Sequence, residues 1–334
     1  MTRHFNKLVL ARATSRAELI VADFAQDKAP RRPSLRVGLV NNMPDGALLA
    51  TERQFATLLS NATQGSGRLE LFHLPSLPRS DAAAQILAQN YKPVSDLFHT
   101  GIDALIVTGN EPRAARLDQE AYWADMTRLI DWAAQHTQTT FWSCLAAHAA
   151  VLHMDQIERR RLPAKRSGVY ECTTDFARAE NPRPFLMCHS RLNDVEGGEL
   201  EAAGYRILSR NETGEVDAFM KDVPSRFLFL QGHPEYDAHS LAREYRRDVE
   251  RYLAGSRDQY PAMPENYFDA TSSARFSEFR KRTEIEPRPE MIADFPEPAL
   301  REGLAPDLAS SAADIFSFWV AQMLESKSKK ALSV

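Results

Sequence analysis

Cysteine is scarce in this 334-residue chain, which has three: Cys144, Cys172 and Cys188. The number is odd and no pair has C-x-x-C spacing, which argues against a disulfide framework and against a cysteine zinc site. Long apolar runs are missing as well. No stretch approaches the roughly 18 apolar residues that a membrane helix needs. In the opening segment, MTRHFNKLVLARATSRAELIVADF, Arg12, Arg16 and Glu18 interrupt any secretory core, so a cytoplasmic location is expected. Neither sign of charge is in excess: 41 Lys plus Arg stand against 45 Asp plus Glu, a net charge of -4. No broad field would gather nucleic acid or an anionic membrane, and small-molecule partners are the expectation. Internal repeats are also absent.

What is present is an ordinary soluble composition, 43% hydrophobic and 26% charged. Short apolar, β-rich runs bounded by turn residues read as buried strands: LRVGLV (35 to 40), LELFHL (69 to 74), DALIVTG (103 to 109), TTFWS (139 to 143) and RFLFLQGH (226 to 233). Between and after them lie helix-like stretches, TERQFATLLSNA, AYWADMTRLIDWAAQH, LAAHAAVLHMD and AHSLAREYRRDVERYLAG. Alternation of the two types predicts an α/β fold, a doubly wound and mostly parallel sheet with flanking helices. SGVYECT and YRILSR, within 154 to 225, suggest a small antiparallel excursion. The proline- and charge-rich stretch from about 254 to 310 reads as irregular covering before a last helix, DIFSFWVAQMLES. The expected organisation is an N-terminal extension over 1–33, a single α/β domain over 34–325 and a flexible tail over 326–334.

Cys144 sits where TTFWS meets LAAHAAVLH, at a strand-to-helix junction. Ligands of open α/β sheets bind at the carboxyl ends of the strands, and a residue in such a turn is held over the crevice. The N–H of Leu145, at the helix start, favours negative charge and suits an oxyanion. A buried thiol acting as a small hydrophobe explains the position equally well. FLFLQGHPEYD supplies what a nucleophile would need: His233 follows an apolar strand directly, and Glu235, at i+2 in extended chain, points the same way.

These residues carry a resemblance. NNMPDGALLATERQF, IVTGNEPRAARLDQEAYW, the cysteine elbow, AKRSGVYE, CHSRLNDV, GHPEYD and EYRRDVERYLAGSRDQYPAMPENYF occur in the order found in the homoserine O-succinyltransferase and O-acetyltransferase family, a branch of the class I glutamine amidotransferase-like superfamily. The similarity spans roughly residues 35 to 320. It implies an acyl-CoA co-substrate with no bound cofactor and no metal, and a cysteine that carries the acyl group as a thioester before a homoserine hydroxyl takes it. Carried over, Cys144 is the nucleophile, His233 the general acid/base and Glu235 its orienting carboxylate. Arg247 in EYRRD matches the family's carboxylate-binding arginine, and Lys165 and Ser190 match active-site positions. The resemblance and the N-terminal extension together suggest a homodimer, and the family implies a place in methionine biosynthesis.

Three positions depart from the family pattern. After Met43-Pro44 the family usually carries a lysine, whereas Asp45 and Gly46 follow here, so oxyanion stabilisation is expected from backbone donors at Leu145 and around Gly46. Arg113 stands where glycine or glutamate separates succinyl from acetyl users, and an arginine there suits a succinyl carboxylate. His148 replaces a usual glutamine at i+4 from Cys144, facing the same side of the helix. Two such changes leave open another hydroxy-amino acid, such as serine, as acceptor. Also open are an amide hydrolase with the same Cys-His-Glu order and a binding relative without turnover.

Overall fold

The carboxyl end of one central strand pair determines where the sequence candidates meet. In a computed structural model the chain is described over residues 35–176, 184–302 and 308–332. Its strands are β1 (Leu35–Val40), β2 (Gly67–His73), β3 (Lys92–Pro93), β4 (Ala104–Val107), β5 (Thr139–Ser143), β6 (Arg160–Thr174), β7 (Phe185–Asp194), β8 (Arg206–Asn211), β9 (Val216–Asp222) and β10 (Arg226–Leu230). They form one sheet in the order β3-β2-β1-β4-β5-β10-β9-β8-β6-β7. The run from β3 to β10 is parallel, and from β10 onward every pairing is antiparallel. The expected mostly parallel sheet is present. Its antiparallel part is a four-strand wing, larger than the two short segments SGVYECT and YRILSR indicated.

Helices α1 (Leu48–Thr63), α2 (Asp81–Asn90), α3 (Val94–Leu97), α4 (Trp123–His136), α5 (Leu145–Asp155), α6 (Gly197–Ala202), α7 (Ser240–Leu253), α8 (Ala270–Thr283), α9 (Ala299–Glu302) and α10 (Ala309–Leu332) cover it. Period-two alternation splits the strand side chains between two cores. Leu105, Val107, Trp142, Phe227 and Phe229 pack with α4 and α5, whereas Ala104, Ile106, Phe141, Leu228 and Leu230 pack with Phe55 of α1 and Phe316 and Trp319 of α10. Both faces are therefore apolar, and each such buried large side chain contributes about 1.5–3 kcal/mol.

A third core joins Tyr245, Val249 and Leu253 of α7 to Phe276 and Phe279 of α8 and to Phe295. This corrects the reading of 254 to 310 as irregular covering. Helix α8 is capped by Asp269, whose carboxylate accepts from the Ser272 N–H at 2.7 Å. Its sequence, ATSSARFSEFRKRT, is polar apart from the two phenylalanines that it buries, so periodicity alone does not reveal it. Helix α10 continues past residue 325 to Leu332, into the segment expected as a tail. The extension over 1–33 lies outside the described residues.

Candidate active site

In β5 and β10, Thr139 pairs with Arg226 and Ser143 with Leu230, so both strands end at one level. The residues that follow are then neighbours: Cys144 donates its backbone N–H to Leu230 O at 2.7 Å, and His233 comes two residues after the next. Cys144 is the N-cap of α5, with φ 52° and ψ -116°. A side chain at such positive φ is strained by about 1–3 kcal/mol, and the strain turns the thiol out of the strand into a cavity where it stays partly exposed. Leu145 is the first helical residue, so its N–H has no partner within the helix, and it lines the same cavity.

His233 and Glu235 are 4% and 3% exposed. The imidazole Nδ1 lies 2.9 Å from Glu235 Oε1, which also accepts from Ser143 Oγ at 3.4 Å. Burial pulls the His233 pKa down. The charges of Cys144 and Glu235, with hydrogen bonds to both, outweigh it and hold the pKa well above its ordinary value. His233 thus lies between the Cys144 thiol and the Glu235 carboxylate. Its ring stacks on Tyr236, with centroids 4.3 Å apart.

Across the cavity lies a charged cluster on α7 and the β6–β7 hairpin. Lys165 Nζ lies 2.9 Å from Asp248 Oδ2 and 3.7 Å from Glu244 Oε2. Ser190 Oγ donates to Glu244, and Tyr236 OH donates to the other Glu244 oxygen at 2.7 Å. Burial alone would raise the Glu244 pKa, but Lys165, Arg247 and these hydroxyls hold it low. Asp248 behaves the same way, with Lys165 and Arg247 offsetting its burial. Arg247 reaches Asp248 Oδ1 at 3.1 Å and keeps about a third of its side chain exposed to the cavity. Lys165, Ser190 and Arg247 are therefore brought together. Glu244, Asp248 and Tyr236 complete the group, and nothing local in EYRRD or GHPEYD marks them.

The cavity holding Cys144 has a volume of about 450 Å³. A second, of about 730 Å³, adjoins it and shares Pro44, Asn110, Tyr236 and Arg247. Arg113 and Gly46 line this second cavity and not the first. Arg113 is exposed, with Nη2 3.5 Å from Pro78 O. Asp45, which follows Pro44, accepts from Arg79 at 3.1 Å, and Arg79 also donates to Met43 O and Asn41 O. A buried guanidinium from elsewhere in the chain thus braces the turn that has no lysine of its own.

His148 lines the first cavity and is 2% exposed. Its Nε2 lies 2.8 Å from Gln231 Oε1. That oxygen also accepts from Arg191 and from Val195 N–H, while Gln231 Nε2 donates to Val216 O at 2.8 Å. The amide orientation is thereby set, so His148 donates through Nε2 and leaves Nδ1 as an unpartnered buried acceptor. Burial lowers its pKa to about 4, against the pull of Gln231. Gly109 belongs to the site without a local sequence signal. A Cβ there would stand 2.6 Å from Leu145 N, so glycine keeps open the space in front of that N–H.

Comparison with known proteins matches the chain to a family model described as homoserine O-succinyltransferase, over residues 7–328. The chain belongs to the homoserine O-succinyltransferase family. These are acyltransferases. The homoserine O-succinyltransferase of Rhodopseudomonas palustris is 48% identical over 301 residues, covering 88% of this chain and 90% of its own. That of Bradyrhizobium japonicum is 47% identical over 307 residues, covering 90% and 93%. A solved glutamine amidotransferase from Thermotoga maritima aligns with 87% of this chain and 99% of its own, at 12% identity and a TM-score of 0.46. Among the described residues no cluster of His, Cys, Asp or Glu is arranged to hold a metal, and no helix is long and apolar enough to cross a membrane.

Proposed function

We propose that the protein transfers a succinyl group from succinyl-CoA to the hydroxyl of L-homoserine through a thioester on Cys144. The observation that carries this reading is the Cys144–His233–Glu235 line at the common end of β5 and β10. In the first half-reaction the Cys144 thiolate attacks the donor's thioester carbonyl, while the thiol proton resides on His233. The oxyanion faces the Leu145 N–H across the space left by Gly109, and collapse expels the CoA thiolate, which takes the proton from His233. One preorganised donor of this kind lowers the barrier by about 3 kcal/mol. In the second half-reaction His233 removes the proton of the acceptor hydroxyl as its oxygen attacks the enzyme thioester, then returns the proton to Cys144. Glu235 fixes the imidazole orientation and stabilises its charged form.

The acceptor's carboxylate and ammonium suit Arg247 and the Glu244–Asp248 pair, with Lys165 and Ser190 between them. Two arginines on the cavity linings are candidates for a succinyl carboxylate: Arg113 on the adjoining cavity and Arg159 on the cavity of the thiol. Gly46 contributes a backbone donor only if the turn after Pro44 closes over the shared mouth. The same reading carries a role in methionine biosynthesis, in the cytoplasm, as a homodimer. An acceptor such as serine rests on the His148 and Arg113 departures.

The test is intact-mass analysis after incubation with succinyl-CoA alone. A succinyl adduct that is absent in Cys144→Ala and is discharged by homoserine supports the transferase. Discharge by water as fast as by homoserine would make the protein a hydrolase, and no adduct at all would leave a binding protein. Acetyl-CoA in place of succinyl-CoA reports the donor, and serine in place of homoserine the acceptor.

A further inference from the structure

Downstream of the thiol, one end of the cavity is built differently from the acceptor end. Its walls are Gly109, Ala115, Leu117, Leu145 and Leu152, with His148 as the polar side chain on the α5 face. His148 stands one helical turn, about 5.4 Å, from Cys144, and Leu152 stands two. At this end the cavity is lined by Arg159, which follows α5 and whose guanidinium acts electrostatically on His148. Arg159 Nη2 donates to Ala115 O at 3.4 Å, while Nη1 is buried with no hydrogen-bond partner. No carboxylate among the described residues is within ion-pairing reach of it. The nearby acids are otherwise engaged, Glu120 Oε1 by the N–H groups of Arg113 and Ala114, and Glu158 by Arg116 at 3.1 Å. An apolar slot beside a thiol that ends on an unpaired, part-buried cation fits a short acyl chain with an anionic tip.

We propose that Arg159 binds the distal carboxylate of the acyl group carried by Cys144 and so selects dicarboxylic over plain acyl donors. The proposal rests on the acyltransferase reading above. A four-carbon diacyl chain spans roughly 4 Å from thioester carbon to carboxylate carbon, which is close to one helical turn. Its tip therefore arrives beside His148 at the depth where Arg159 acts, whereas the exposed Arg113 lies on the neighbouring cavity. The His148 Nε2 is committed to Gln231, and the cations that act on the ring are Arg191, tied to Asp194 at 2.6 Å, and Arg159, with Arg161 also on the cavity lining.

The experiment measures rates of Cys144 acylation without acceptor, using succinyl-CoA and butyryl-CoA, which has the same chain length but ends in a methyl. Wild type, Arg159→Gln, Arg159→Lys and Arg113→Ala are compared. Wild type is expected to prefer succinyl-CoA. Arg159→Gln should cut the succinyl-to-butyryl ratio by roughly 10- to 100-fold, and Arg159→Lys should restore part of it. Butyryl acylation serves as the control for folding. An unchanged ratio in Arg159→Gln, equal losses on both donors, or a ratio that collapses in Arg113→Ala instead would overturn the proposal while leaving the acyltransferase standing. If neither donor acylates wild type, the acyltransferase reading fails and this proposal falls with it.

Discussion

The His233 imidazole and the Tyr236 phenol stack with centroids 4.3 Å apart and planes 19° from parallel, and the same phenol donates to Glu244 at 2.7 Å. Burial, Glu244 and Glu235 raise the Tyr236 pKa well above its ordinary value, so the hydroxyl remains a donor. One side chain thus stacks on the His233 ring and reaches the charged cluster of Glu244, Lys165 and Asp248. Tyr236→Phe keeps the ring and loses one charge-assisted hydrogen bond, worth about 1.5–3 kcal/mol, so the expected change is mainly in KM for the amino-acid acceptor. Tyr236→Leu loses the stack as well, and the acylation rate without acceptor should fall roughly 10- to 100-fold. Equal acylation by both variants would show that the stack does not position His233.

Gly109 carries the second prediction. A methyl at this position would meet Leu145 N at 2.6 Å and occupy the space assigned to the oxyanion. Gly109→Ala should lower the acylation rate by about 100-fold or more. Binding of the intact donor, measured on Cys144→Ala and on the Gly109→Ala, Cys144→Ala double variant, should change much less. A parallel loss of donor affinity would mean that the residue serves packing.

Much of this site was legible in the chain. β5 and α5 have the bounds read from TTFWS and LAAHAAVLHMD, and the elbow follows from their junction. The pairing of His233 with Glu235 was legible because i and i+2 share a face and the preceding run is apolar. Gly109, Tyr236 and Arg159 were not, because their significance lies in contacts across the sheet that no local pattern encodes. Helix α8 escaped because two phenylalanines among polar residues make no periodic stripe. The antiparallel wing escaped in part because Val216–Asp222, VDAFMKD, mixes three charged residues with four apolar ones without alternation, and its pairing with β10 is set by a turn at Val223–Ser225.

Cys144 itself yields a stability prediction. With φ 52° and ψ -116°, alanine keeps the Cβ and its strain, whereas glycine removes it. Both substitutions should abolish acyl transfer if Cys144 carries the acyl group as proposed. Cys144→Gly should nevertheless be more stable than Cys144→Ala by about 1 kcal/mol, once the extra chain entropy of glycine is offset against strain relief. Paired thermal or urea unfolding of the two variants checks this, and a less stable glycine variant would show that the elbow is relaxed.

His148 links the cavity wall to pH. Its pKa is lowered to about 4 by burial, from about 6.5 in an exposed chain. Above the higher value both folded and unfolded chains carry it neutral, and its contribution does not vary. As pH falls from 6.5 toward 4 the unfolded chain takes up the proton first, so stability is lost through that window, on the order of 3 kcal/mol in all. Glu244 and Asp248, whose pKa values are lowered, lose stability in the same direction as they protonate, so the wild-type slope alone does not isolate the histidine. His148→Gln removes its share while keeping a side chain that can reach Gln231. The stability gap between variant and wild type should therefore shift in the variant's favour as pH drops from 6.5 to 4, and stay constant above 7. Parallel curves, or an NMR titration placing the His148 midpoint near 6.5, would mean that water reaches the Nδ1 face and that the wall opposite Arg159 is wet.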